Sequence, residues 1–171
     1  INGQPIELVE KDDQMDPTET LNAFNSLVAE GVVAVLGSVS SGCTSAITDA
    51  ADEEEIVLVT PTSTADSITT TDDYVFRACY ADSFQGKIAA KYAADNGYKE
   101  VGVLYCASDT YSKGLYDSFA AACAEYGVTV KAAESVADIQ TSSEFSNQWA
   151  ALVNSGVEFV FAPFYYYTVG P

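Results

Sequence analysis

The sequence predicts an α/β fold, with parallel sheets flanked by helices on both faces. Short apolar runs rich in β-branched residues recur along the chain, among them "VVAVLG" (32–37), "IVLVT" (56–60) and "EVGVLYC" (100–106). Segments with apolar residues at helical spacing separate them. The runs are near-continuously apolar rather than alternating. That is the pattern of a parallel strand covered by helices above and below.

Each element carries its own signals. "IELVEK" (6–11) predicts a first strand. "DPTETLNAFNSLVAEG" (16–31) predicts a helix: Asp16 caps it, Pro17 suits its first turn, and Glu19 completes a capping-box-like start. Leu21, Phe24, Leu27 and Val28 form its apolar face and Gly31 ends it. After strand 32–37, "GSVSSGCTSA" (37–46) leads into a helix through about Glu54, with Ala46, Ile47, Ala50 and Ala51 inward. Strand 56–60, a Thr/Ser/Asp-rich loop (61–73) and strand 74–80 follow. The next helix, 83–97, places Phe84, Ile88 and Tyr92 at i, i+4 and i+8, on one face. Strand 100–106 precedes a helix over 110–127 with Leu115, Phe119, Ala122 and Cys123 inside. Strand 128–135, a helix over 142–156 facing inward with Phe145, Trp149, Leu152 and Val153, and strand 157–164 complete the series.

Composition narrows the function classes. At 171 residues, 48% hydrophobic and 19% charged, the chain is long and apolar enough to bury a core. No apolar run approaches the ~20 residues of a membrane-spanning helix. The sequence contains no basic start with an apolar core, so a leader is expected to be absent or already removed, leaving a mature or trimmed piece. Twenty-five acidic residues against seven basic ones give a net charge of −18. Seven cations do not build the basic face that a nucleic-acid backbone requires, and an anionic membrane surface is disfavoured likewise. The absence of His removes Ser–His–Asp and Cys–His nucleophile systems and His-based metal sites. Cys43, Cys79, Cys106 and Cys123 lie 36, 27 and 17 positions apart, which matches no zinc or redox pattern. The spacing permits a disulfide without indicating one. Catalytic, metal and cofactor residues are therefore expected to be none.

In open α/β sheets ligands bind beyond the carboxyl ends of the strands. The loops at 37–46, 61–64, 107–111 and the tyrosines at 165–167 all lie there. At "SSGCT" (40–44) a helix would begin, with outward N–H groups at Ser41 and Gly42 and a macrodipole favouring an anion. Gly42 is followed by Cys43 and Thr44 rather than Lys, so a carboxylate suits this loop better than a polyphosphate. Ser40 or Ser41 equally serves as a plain helix cap. In "TPTSTAD" (60–66) the Thr62 carbonyl and the Thr64 hydroxyl are acceptors for an ammonium group. An anion site beside ammonium acceptors describes a zwitterion site.

"VEKDDQMDPTETLNAFNSLVAEGVVAVLGSVSSGCTSA", "VTPTSTAD", "YVFRACYADSFQGKIAAKYA" and "VLYCASDTYSKGL" closely resemble the branched-chain amino-acid-type (type I) periplasmic binding proteins of ABC importers, over essentially the whole chain and in family order. The resemblance implies a two-lobe fold, with residues 1–78 in lobe one and 79–171 in lobe two, joined near Arg77–Cys79. It implies that Ser41 and the adjacent backbone at Gly42 hold an amino-acid carboxylate. The Thr62 carbonyl and the Thr64 hydroxyl would hold the ammonium. Tyr111 and Tyr165 or Tyr166 would close over the ligand from the second lobe. The family pattern begins with a further strand and helix and continues past position 171, so the fold is expected to be incomplete at both ends. The partners implied are a small-molecule amino acid and the membrane subunits of an ABC importer, with no nucleic acid, in an extracytoplasmic location. Exposed sheet edges lead to the expectation that the 171-residue chain self-associates or is marginally stable. The alternatives are a ligand-sensing extracellular receptor domain of the same fold and an α/β enzyme. Against the enzyme stand the missing His, phosphate loop and metal constellation. "DEEE" (52–55) is expected to be a solvated helix end.

Overall fold

The computed structural model describes residues 3, 5–70, 74–137 and 145–165. The chain packs as two compact units, one of Ile1–Ser63 and Ser67–Cys79, the other of Thr64–Asp66 and Tyr80–Pro171. No helix among the described residues is long and apolar enough to cross a membrane.

In the first unit, α1 (Pro17–Ala29) starts as its sequence predicts: the Asp16 carboxylate accepts from the N–H groups of Thr18 (2.8 Å) and Glu19 (3.0 Å). Strands β1 (Ala34–Leu36), β2 (Val57–Thr60) and β3 (Val75–Arg77) form a parallel sheet in the order β1-β2-β3. Phe24, Ile47, Ala51, Leu58, Ile68 and Val75 are its buried apolar residues.

Two expectations fail here. Residues 6–11 form no strand, because a strand exists only through pairing and β1 is hydrogen-bonded only to β2 among the described residues. Ile6 and Leu8 are consequently exposed. The single helix expected after residue 40 is instead two short ones, α2 (Ser41–Ser45) and α3 (Thr48–Glu53). Ile47 leaves the helical region (φ −123°), and the Thr48 hydroxyl donates to the Ser45 carbonyl at 3.3 Å, a local bond that competes with helix continuation.

The second unit holds β4 (Glu100–Cys106), β5 (Thr129–Val136) and β6 (Phe159–Phe161), again all parallel, in the order β5-β4-β6. Strand β4 is central and buried on both faces, as its unbroken apolar run predicts. Helices α4 (Asp82–Asp95) and α5 (Thr110–Glu125) pack on each other. Leu115, Phe119, Ala122 and Cys123 of α5 are buried, as the sequence predicts.

On α4 the face with the large apolar side chains is not the buried one. Phe84, Ile88 and Tyr92 are 51%, 51% and 56% exposed, whereas Asp82, Gly86, Ala90 and Ala93 are buried. Size decides the contact, not hydropathy. A Cβ placed on Gly86 would lie 2.6 Å from the Phe119 backbone nitrogen, so only the small-residue face admits α5 at this distance. The large side chains cover one another instead: Tyr80 stacks on Phe84 at 5.1 Å, and Tyr92 leans on Phe159 at 6.2 Å. Helix α6 (Ser146–Ser155) likewise buries Leu152 but leaves Trp149 and Val153 exposed. It ends at Gly156, whose φ of +73° is a left-handed cap that suits glycine.

Candidate functional site

Two loops meet at the carboxyl ends of β1 and β2 in the first unit. Loop 37–40 runs into α2, and Ser40 is its cap: the Ser40 hydroxyl accepts from the Cys43 N–H at 3.3 Å. Ser41 is therefore not needed as a cap. Because α2 is only five residues long, its macrodipole is small, and any anion here depends on individual N–H and O–H donors.

Hydroxyls tie the loops together. Thr60 donates to the Ser38 carbonyl at 2.7 Å, and Thr62 donates to the Val39 carbonyl at 2.8 Å. The Ser63 hydroxyl lies 3.2, 3.3 and 3.1 Å from the carbonyl oxygens of Ser38, Val39 and Ser40. Thr44 is 2.5 Å from Ser63 and 3.2 Å from the Ser38 carbonyl. On the other side, Ser38 donates its own hydroxyl to the Asp13 carboxylate. Thr44, Thr60 and Ser63 are fully buried, so each unmade bond here would carry the desolvation cost of a buried polar group, about 1–3 kcal/mol. The structure thus brings Ser41, Gly42 and Thr62 onto two adjoining loops, with Ser41 buried and Thr62 exposed.

Thr64 packs with the second unit, where its carbonyl accepts from the Asp82 N–H at 2.8 Å. Nearby Asp66 accepts from the Ser83 N–H at 2.9 Å and the Ser83 hydroxyl at 2.7 Å. In the same unit Tyr111 and Tyr165 stack, with ring centroids 5.2 Å apart and planes inclined by 25°. Tyr166 lies outside the described residues. Tyr111 sits in the first turn of α5, which is capped by Asp109 through the Ser112 N–H at 2.7 Å. Burial raises the Asp109 carboxyl above its ordinary pKa, and the bonds from Ser112 and Tyr111 only partly oppose this. Burial, then the charges of Asp82 and Asp109, raise the Tyr111 phenol, so it remains a neutral O–H. Among the described residues no cluster of acidic or thiol side chains could hold a metal ion. No disulfide joins Cys43, Cys79, Cys106 and Cys123.

Sequence reasoning missed Thr60, Ser63, Asp13 and Asp82. The first two were legible in principle, since hydroxyls at the last position of a buried strand and inside a site loop need partners. Nothing in the sequence marks Asp82 as fully buried against Gly114.

Parallel α/β units with polar and aromatic loops at the carboxyl ends of their strands are the arrangement in which small ligands bind on loops rather than on sheet faces. A family model described as "Periplasmic binding protein" matches residues 1–165, and the chain belongs to that family. The Leu/Ile/Val-binding protein homolog 3 of Brucella melitensis is 32% identical over 163 residues, covering 94% of this chain and 44% of that protein. A leucine binding protein from Thermotoga maritima superposes with a TM-score of 0.86 at 31% identity, over 94% of this chain and 45% of that one. The branched-chain amino acid transporter substrate binding protein of Streptococcus pneumoniae, solved in complex with isoleucine, gives a TM-score of 0.88 at 29% identity, over 97% and 47%. The chain thus spans under half the length of these relatives. Its fold is that of type I periplasmic binding proteins.

Proposed function

We propose that the whole protein is an extracytoplasmic solute-binding protein that captures a branched-chain or similar amino acid and delivers it to an ABC importer. The likeness to the Streptococcus pneumoniae protein solved with isoleucine carries this reading. The two-lobe division at residues 1–78 and 79–171 belongs to the same proposal, as does a location in the periplasm or on a cell-surface lipoprotein. In this reading the protein binds and releases its solute without chemistry and needs no cofactor. Ser41 and the Gly42 backbone donate to the carboxylate, and the Thr62 carbonyl and Thr64 hydroxyl accept from the ammonium. Tyr111 and Tyr165 supply an aromatic wall for the side chain. Their stack within one unit and the adjoining loops of Ser41 and Thr62 in the other support these roles.

Calorimetry of the whole protein with leucine, isoleucine and valine tests the reading. Removing a hydroxyl that meets a charged group costs roughly 1.5–3 kcal/mol, or about ten- to a hundred-fold in affinity. Ser41→Ala is expected to weaken all three ligands alike, because it touches the shared head group. Tyr111→Ala is expected to raise the off-rate. If Ser41→Ala and Thr64→Ala both bind as tightly as the wild type, the zwitterion site is elsewhere.

A further inference from the structure

We propose that Thr60 and Ser63 are positioning residues that hold the binding loop in shape by clamping its successive carbonyls at Ser38, Val39 and Ser40. The inference rests on the reading that this loop binds the amino-acid carboxylate. Neither residue is assigned to touch the ligand.

Each hydroxyl of the clamp has one proton to place. Thr60 has one proton and gives it to the Ser38 carbonyl, while its oxygen accepts the Ser63 N–H at 3.1 Å. Ser63 Oγ faces three carbonyl oxygens, which cannot donate. Ser63 is placed to donate into this carbonyl cluster, Thr44 is placed to donate to the Ser38 carbonyl at 3.2 Å, and either hydroxyl can donate in the 2.5 Å bond between them. The result is a connected set of hydroxyls, Thr44, Thr60 and Ser63, bonded to the loop backbone.

The clamp acts on the ligand loop through peptide planarity. In a trans peptide the N–H of one residue points opposite to the carbonyl before it. Holding the carbonyls of Ser38, Val39 and Ser40 toward residues 60–63 turns the N–H groups of Val39, Ser40 and Ser41 the other way. The last of these belongs to the residue expected to meet the carboxylate. Asp13 grips the Ser38 side chain, so backbone and side chain of that residue are both held. An apolar side chain at 60 or 63 would fill the same space without setting the direction of any amide.

The test combines hydrogen exchange on the ligand-free chain with leucine affinity in the whole protein. Thr60→Val and Ser63→Ala are expected to speed exchange of amides 37–44 about ten-fold or more, with α1 and β4 amides unchanged. Thr60→Ser, which keeps the hydroxyl, is expected to restore the wild-type rate. Leucine affinity is expected to fall about ten-fold in the first two variants and to recover in the third. If Thr60→Val fails to fold, Ser63→Ala and Thr60→Ser decide the matter. Unchanged exchange over 37–44 in Ser63→Ala overturns the clamp. So does faster exchange with full leucine affinity in a protein where Ser41→Ala abolishes that affinity. If Ser41→Ala has no effect on leucine, the binding-loop reading fails, and the positioning role falls with it even where exchange shows the carbonyls held.

Discussion

At the residue scale, chemistry follows burial. Cys43, Cys106 and Cys123 are at most 1% exposed, and burial pushes the Cys123 thiol up to about 11. Cys79 is the half-exposed thiol, in contact with the Ser63 carbonyl at 3.5 Å. A thiol reagent at pH 8 is expected to modify Cys79 first, with the other three reacting only on unfolding; mass spectrometry of the labelled peptides checks this. Asp109 offers a sign test. Its folded pKa is raised, so the folded state favours the acid form, and stability falls as pH rises through the unfolded value of about 3.9 to the folded one. Asn caps a helix about as well as Asp. Asp109→Asn is therefore expected to be more stable than the wild type to urea at pH 7 and to lose that advantage near pH 3.5. A less stable variant at pH 7 would mean that attraction of the charge to the α5 N-terminus outweighs burial. The Ser41 and Thr64 hydroxyls and the Thr62 carbonyl stood out in the sequence on binding-side loops. Ser63, one residue from both threonines, did not, because only its three-dimensional surroundings separate a clamp from a ligand contact.

At the element scale, most boundaries were legible from caps and glycines. Asp16, Gly31 and Gly156 mark helix ends in both sequence and structure. The buried face of α4 was not legible, because hydropathy ranks Phe84 and Ile88 above Gly86, while contact with α5 ranks by size. Gly86→Ala measures the difference. Ala gains about 1 kcal/mol in helix propensity over Gly. Against that, its Cβ would sit 2.6 Å from the Phe119 nitrogen and 2.8 Å from the Ser118 carbonyl carbon, both backbone atoms with little freedom to move. Overpacking of this kind costs about 1–3 kcal/mol or more. A net loss of stability in urea unfolding is expected. A net gain would show that the helices separate easily. The break between α2 and α3 was hidden for another reason: the periodicity of Ala46, Ile47, Ala50 and Ala51 continues across it, while the non-helical Ile47 and the Thr48–Ser45 bond mark it only in three dimensions.

At the scale of the whole molecule, charge and exposed apolar surface oppose one another. Val33, Leu36 and Leu8 are 87%, 79% and 79% exposed, and α4 adds Phe84, Ile88 and Tyr92. Such patches favour self-association. The net charge of −18 resists it, and salt screens that repulsion over about 8–10 Å at 0.1–0.15 M. Sedimentation of the 171-residue chain is expected to show association that grows as salt rises from 10 mM to 300 mM. A compact monomer at every ionic strength would contradict this. The same α4 surface would also invert the usual map of replaceable positions. In a library covering residues 82–95 selected for a folded chain, the bulky aromatics would accept Lys or Gln freely. The alanines and the glycine opposite them would admit almost no other residue, so the positions a hydropathy plot ignores would prove the most restricted in the helix.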